Sequence, residues 1–339
     1  MMSKLRLLFD RFTLILIAVV VAATVLPAHG AGAVFFEWLT TAAIALLFFL
    51  HGAKLSREAI IAGATHWRLH GVIFIWTFVL FPLIGWLLRP VLVPLLGEPL
   101  YIGIVYLTVL PGTVQSAIAF TSVARGNVPA AVCAASASSI VGIVITPLLL
   151  QLLLGTDTSA MGGASLLQAI GHISEQILLP FIVGHLMRPL IGRWMDGHRT
   201  LVKCVDQSSI LLVVYTAFSE SVIGGLWQTV DTVSLVWLVV VCSALLALVL
   251  VLNMWSTRRL GFNRADEVTI VFCGSKKSMA TGVPMAGVLF SAAAVGPVLL
   301  PLMIFHQIQL MVCAVLAQQY LRQHEAQARE AASGRRAPA

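Results

Sequence analysis

Phe272-Cys273-Gly274-Ser275-Lys276-Lys277-Ser278-Met279-Ala280-Thr281-Gly282 sets two lysines among small and polar residues, with apolar segments on either side, Val268 to Phe272 and Val283 to Phe290. A continuous bilayer-crossing helix through this stretch would hold two ammonium groups near mid-membrane, at about 2.5–3.5 kcal/mol each. A helix broken between Gly274 and Gly282 avoids much of that cost, because irregular backbone is tolerated at membrane depth where it is buried in protein or lines a wet cavity. A short cytoplasmic loop between two helices is the other reading. The apolar arms are each only about two turns long, well short of the roughly 20 residues that a crossing requires, and this favours the break.

The composition is that of a polytopic membrane protein. Hydrophobic residues make up 59% of the 339 and charged residues 10%, and the mean hydropathy of +0.96 lies outside the range of soluble domains. The five cysteines (Cys133, Cys204, Cys242, Cys273, Cys313) stand singly in the sequence, with no CxxC pair and no His at ligand spacing. Neither a disulfide framework nor a metal site is expected, and packing is their expected role. The net charge of +7 is spread among loops rather than gathered on one face, which argues against nucleic acid as a partner.

Ten apolar segments follow one another: about Phe12–Ala28, Trp38–Gly52, Gly71–Leu88, Tyr101–Ala124, Val128–Leu154, Leu166–Leu190, Ile210–Gly224, Val233–Trp255, the lysine-bearing ninth, and Val298–Tyr320. The first, behind Lys4, Arg6 and Arg11, reads as a retained helix rather than a cleaved signal, because its apolar run is long and nine more follow. The fourth is interrupted by Pro111-Gly112-Thr113-Val114-Gln115-Ser116-Ala117, a second break. Residues 322–339 are charged and Ala-rich and read as a fraying, flexible tail. Of the 21 lysines and arginines, only Arg89, Lys276 and Lys277 fall outside the termini and the 2–3, 4–5, 6–7 and 8–9 connections. That alternation fits ten spans with both ends cytoplasmic.

The two breaks fall in the fourth and ninth segments, equivalent places in a five-plus-five arrangement whose odd repeat length inverts the second half. Each is followed by a helix with an internal proline, Pro147 and Pro301. Paired discontinuous helices in two inverted halves point to a secondary transporter's binding site near the midplane; two unrelated Gly/Pro kinks are the plainer alternative. At such breaks freed carbonyls coordinate cations and half-helix N-termini attract anions. The candidate substrate-binding residues are therefore Thr113, Gln115, Ser116, Ser275, Lys276, Lys277, Ser278 and Thr281, with His306 and Gln307 from a polar strip, also including Gln309, on the tenth segment. Ser136, Ser138 and Ser139 on the fifth segment, and Glu220 on the seventh, are candidates for an ion site. For each Ser or Thr a hydroxyl bonded to its own helix is an equally good account. His306 is equally well read as a hydrogen-bonded packing residue. Glu220 either pairs with a lysine or reaches the outer interface. Adjacent helical residues point about 100° apart, so one lysine is expected to meet the ligand or a counter-charge and the other to snorkel or cap. His51, His172 and His185 are given no role.

Phe262-Asn263-x-Ala265-Asp266-x-Val268-x-Ile270-x-Phe272-Cys273, then Lys277-Ser278 and Gly282-x-Pro284-Met285, resembles the ninth helix of the bile acid:sodium symporter family, solute carrier family ten, in particular its seventh-member branch and bacterial relatives. Ala124-Arg125-Gly126-Asn127-Val128, Gly142 to Leu150 and Phe49-Leu50-His51-Gly52-x-x-Leu55 extend the resemblance over nearly the whole chain. It implies an all-α membrane protein forming one transmembrane domain over 1–339, with ten helices in a 5+5 inverted repeat (about 12–155 and 165–321), helices 4 and 9 broken and crossing. Helices 1, 2, 6 and 7 would form a panel and helices 3, 4, 5, 8, 9 and 10 a core. The resemblance places Gln115 and Ser116 near a polar pair of the first break, and His306-Gln307 where related symporters have a cavity-lining His-Asn pair. Sodium-coupled members carry a glutamate and a glutamine at the places held here by Phe272 and Lys276. The expectation is thus a non-enzymatic carrier of a small organic anion in the bacterial inner membrane, with the second sodium site lost, no cofactor, and the Lys276 ammonium tethering the crossover carbonyls. A membrane regulator of ion homeostasis and an enzyme acting on a lipid-linked substrate are the alternatives; no HExxH, GxSxG or acid pair supports the second. Reporter fusions after Gly155, Gly225 and Ala293 are expected to read as external, and an internal signal at two of them would overturn the ten-span map.

Overall fold

The computed structural model describes residues 11–54, 66–155, 171 and 174–334, and these are helical with short connections. In chain order the helices are α1 (Arg11–Val25), α2 (Ala31–Lys54), α3 (Trp67–Leu87), α4 (Arg89–Leu96), α5 (Glu98–Val109), α6 (Gln115–Val123) and α7 (Val128–Leu154). After a π-helical turn at Ser174–Leu178 come α8 (Leu179–Gly197), α9 (Arg199–Ile223), α10 (Thr232–Arg259), α11 (Arg264–Gly274), α12 (Met279–Leu289) and α13 (Ala292–Gly334). Six segments among the described residues are long and apolar enough to cross a bilayer: Ala31–Lys54, Trp67–Leu87, Val128–Leu154, Arg199–Ile223, Thr232–Arg259 and Ala293–Ala326. Their exposed leucines, valines and tryptophans, such as Leu152, Val236 and Trp255, form an apolar outer surface suited to lipid.

Both breaks are present, α5/α6 and α11/α12. Several helices start earlier or end later than the apolar segments suggest: α9 begins at Arg199 and α2 at Ala31. Hydropathy registers the membrane-buried stretch, whereas helical hydrogen bonding continues through the polar ends. For the same reason α13 continues past Arg322 to Gly334, where a fraying tail was expected. The beginning of the sixth expected segment, from Leu166, lies outside the described residues, as do Lys4, Arg6, Arg57, Arg335 and Arg336. Side-chain caps fix several starts. Asn127 Oδ1 accepts from Ala130 N, Asp231 Oδ1 from Ser234 N, Asn263 Oδ1 from Asp266 N and Ser278 Oγ from Thr281 N.

Two groups of contacts organise the molecule. In one, α2 packs along α8, and α9 packs on α1 and α2. In the other, α5 is surrounded by α3, α7 and α13, with α10 and α12 against α13 and α6 against α7 and α11. Every residue of α5 from Leu100 to Val109 is buried, as befits a helix apolar all round. Helix α9 also touches α12 and α13, bringing the first group against the second break.

The α2–α8 crossing depends on two glycines. A Cβ on Gly52 would overlap the carbonyl of Phe181, and one on Gly184 would overlap the carbonyl of Phe49. Small residues let membrane helices approach this closely. Gly52→Ala or Gly184→Ala should therefore lower the thermal midpoint of the purified protein, with an overpacking penalty of about 1–3 kcal/mol. Gly71→Ala, in α3 with nothing within 4 Å of its Cβ, should leave the midpoint unchanged or raise it; equal effects at all three positions would refute the close-packing account.

Candidate functional site

The site begins with backbone carbonyls left over where helices stop or change register. In the π-helical turn Trp76–Leu80 of α3, the N–H of Phe81 bonds to Trp76 O, five residues back. In that register Thr77 O would take its hydrogen bond from residue 82, which is Pro82 and has no N–H. Helix α5 ends at Val109, ahead of Pro111-Gly112, and its last carbonyls lack intrahelical donors. Several carbonyls at this break have found other donors. Thr146 Oγ1 donates to Val109 O at 2.9 Å, and Ser278 N, in the second break, donates to Pro111 O at 3.0 Å. Gly112 N donates to Ser138 Oγ at 3.0 Å.

The remaining three carbonyls converge on one ammonium. Lys277 Nζ donates to Thr77 O at 2.8 Å, Thr108 O at 2.7 Å and Leu110 O at 2.8 Å, and lies 4.4 Å from the centroid of the Phe81 ring. Three N–H groups meet three acceptors with a π-face beside them, and the side chain is fully buried. The C-terminal end of α5 adds its partial negative charge. Lys277's own main chain is gripped by Gln309 of α13: Lys277 N donates to Oε1 at 2.9 Å, and Nε2 donates to Lys277 O at 2.8 Å. The same Nε2 lies 2.8 Å from Nδ1 of His306.

Lys276 is buried elsewhere. Its Nζ donates to Ser116 Oγ at 3.1 Å and lies 4.3 Å from the Phe120 ring centroid and 5.8 Å from that of Phe272. Phe272 packs between Phe120 and Tyr320, with centroids 5.9 and 6.0 Å away, so an aromatic cluster fills this position. The tether to the crossover carbonyls is made by Lys277, while Lys276 holds Ser116 at the start of α6.

Three cavities adjoin the crossover and share Gln115. A central one of about 260 Å³ is lined by Thr113, Gln115, Ser116, Ser278, Thr281, His306 and Gln307 from the breaks and α13, facing His51, Lys203, Asp206 and Gln207 of α2 and α9. A lateral one of about 240 Å³ runs past Ser136, Ser139, Thr281, His51 and Lys54. A vestibule of about 360 Å³ is lined by Lys54, Arg188, Asp196, Arg199 and Lys203. Seven of the ten expected substrate residues thus share one wall. Lys276 and Lys277 lie off all three cavities, and Ser275 Oγ is bonded back to Val271 O.

The expected ion-site residues do not come together. Ser136 and Ser139 line the lateral cavity, Ser138 holds Gly112 N, and Glu220 stands near the other end of α9 with the Glu37 carboxylate as its charged neighbour. No ion pair joins Glu220 to a lysine among the described residues. The opposing wall, His51, Lys54, Lys203 and Asp206, went unassigned in the sequence, where the lysines read as loop cations. The spacing of His51 and Lys54, three residues apart at a helix end, was the available signal.

The residues that carried the family resemblance fasten helix ends. Asn127 donates through Nδ2 to Asp266 Oδ1 at 2.9 Å and through its backbone N to Thr269 Oγ1 at 2.9 Å, tying the start of α7 to α11. Glu267 receives Arg258 and Arg264, each at 3.0 Å.

The SBF-like CPA transporter family profile matches residues 10–322. The chain is 60% identical over 324 residues to an uncharacterized protein of Pseudomonas aeruginosa, covering 96% of each chain. It is 58% identical over 325 residues to the putative symporter YfeH of Escherichia coli, covering 95% of this chain and 96% of YfeH. It is 31% identical over 278 residues to the sodium/bile acid cotransporter 7 of Mus musculus, covering 81% and 80%. With its apolar helices, crossed breaks and central cavity, this chain belongs to the SBF-like CPA transporter family.

Proposed function

We propose that this integral membrane protein is a secondary transporter of a small organic anion, working by alternating access, in which the Lys277 ammonium stands where a sodium-coupled relative would hold an ion. The observation that carries the reading is the three-carbonyl cage around Lys277 Nζ. A cation in a ring of main-chain oxygens at a helix break is the arrangement by which broken-helix transporters bind sodium. Here the cation is covalently part of the chain and does not dissociate. A sodium ion about 4 Å from that ammonium would be repelled by roughly 4 kcal/mol at an effective dielectric of 20.

On this reading α1, α2, α8 and α9 are the panel, and the helices around α5 and α13 are the core, in a ten-span, five-plus-five inverted repeat with no cofactor. The central cavity lies between them, and cargo exchange follows from rocking one against the other. A regulator that does not transport would show binding without saturable, trans-stimulated exchange.

A thermal-shift screen over small carboxylates, steroid conjugates and sulfates identifies a cargo for proteoliposome uptake. Uptake should persist when sodium is replaced by choline; a strict sodium requirement, or accumulation driven by a sodium gradient, would refute the reading. Lys277→Ala should lower the thermal midpoint, since three buried carbonyls lose their donor at about 1–3 kcal/mol each. The emptied cage should make that variant's midpoint rise with added sodium or potassium, a response absent from the parent.

A further inference from the structure

The two crossover lysines are closed off from the cavities, so an anion inside needs another counter-charge. Among the described residues the cavity walls carry Lys54, Arg188, Arg199 and Lys203, with Asp196 and Asp206 as the acids. Arg188 Nη1 is engaged by Ala53 O at 2.8 Å, and Arg199 is 3.6 Å from Asp196. Lys54 is placed differently. It lines both the vestibule and the lateral cavity, 33% of its side chain is accessible, and its ammonium is held by Asp206 Oδ2.

Asp206 is 6% exposed, and its other oxygen, Oδ1, is buried with no hydrogen-bond partner among the described residues. An ionised carboxylate has room for about four hydrogen bonds. A buried pair whose remaining lone pairs are unsatisfied barely offsets the desolvation of its charges. An incoming anion can therefore replace Asp206 on Lys54 at small cost only if the buried carboxylate gains another partner. Lys203 lies three residues before Asp206 on α9, a separation that puts two side chains on neighbouring positions of a helix, and it lines the central cavity with Asp206. It can receive the Asp206 carboxylate once Lys54 has turned away.

We infer that Lys54 binds the anionic head of the substrate, in exchange for Asp206, which stands in for that head while the cavity is empty. This rests on the organic-anion reading above and goes further in naming the recognising group and the charge of its ligand. Lys54 and Lys203 together carry two positive charges, and Asp206 carries one negative charge. One further negative charge neutralises these three side chains, so the head that fits between Lys54 and Lys203 is a monoanion such as a carboxylate or sulfonate. His51, one turn before Lys54, donates Nδ1–H to Leu47 O at 2.8 Å and places its ring on the central and lateral cavities beside the exchanging pair.

The test is equilibrium binding to the purified full-length protein, with lactate, benzoate and taurocholate below its micellar concentration as probes. Lys54→Met should weaken binding of any probe that the parent binds by tenfold or more. Asp206→Asn, which frees Lys54, should tighten it by about tenfold, or about 1.4 kcal/mol. Because Lys54→Met alone strands a buried carboxylate, the double variant Lys54→Met/Asp206→Asn serves as the folded control and should bind as weakly as Lys54→Met. Parent-like binding by the double variant, or no tightening in Asp206→Asn, overturns the inference. If the double variant keeps binding while Lys276→Met loses it, the organic-anion reading stands and this inference falls. If no probe binds either the parent or Asp206→Asn, both fall.

Discussion

Burial of one ammonium group governs this molecule. Lys277 Nζ sits in a protein interior where a charge without partners would cost several kcal/mol, and it is accommodated because one helix changes register and another stops short. Pro82 and the π-helical turn leave Thr77 O without a donor, and the end of α5 leaves Thr108 O and Leu110 O without theirs. The carbonyls would be costly without the lysine, and the lysine would be costly without the carbonyls. The two breaks therefore satisfy one another's polar groups. Gln309 extends the dependence to α13 by bonding both main-chain groups of Lys277.

This separates two tasks that charge performs in a membrane protein. Lys276 and Lys277 hold segments of the chain to one another and present nothing to the cavities. The charges that face the cavities lie on α2, α8 and α9, opposite the breaks. Hydroxyls and amides supply the crossover side of the central cavity, the side where backbone has been left irregular. With polar but uncharged groups on one wall and ionised groups on the other, the charged partners stay together on one side.

Much of this was legible in the sequence. Two lysines in an apolar stretch and Pro111-Gly112 in another were enough to locate both breaks, since charge and missing hydrogen bonds are local properties. Val128–Leu154 was read to its ends, because Asn127 caps it and Gly155 stops it. Which lysine meets which carbonyl was not legible: it depends on how α3 lies against α5, and Thr77 is 200 residues from Lys277. The α2–α9 wall was missed for a related reason. Lys54 and Asp206 each look like ordinary residues at a membrane boundary, and only packing of helices far apart in sequence makes them a pair. Asn127, Asp266 and Thr269, so prominent as a motif, hold helix ends together and lie away from the central cavity.

The grip of Gln309 on the crossover also fixes the chemistry of an imidazole. Because Lys277 N–H donates to Oε1, the amide has a single orientation, and Nε2 must face His306. An amide nitrogen offers only hydrogens, so Nδ1 of His306 must offer a lone pair. The ring is thereby the Nε2–H tautomer, with a neutral N–H donor opposite the nitrogen that faces Gln309. A main-chain bond at the broken helix thus selects which of two isomeric imidazoles stands at the central cavity.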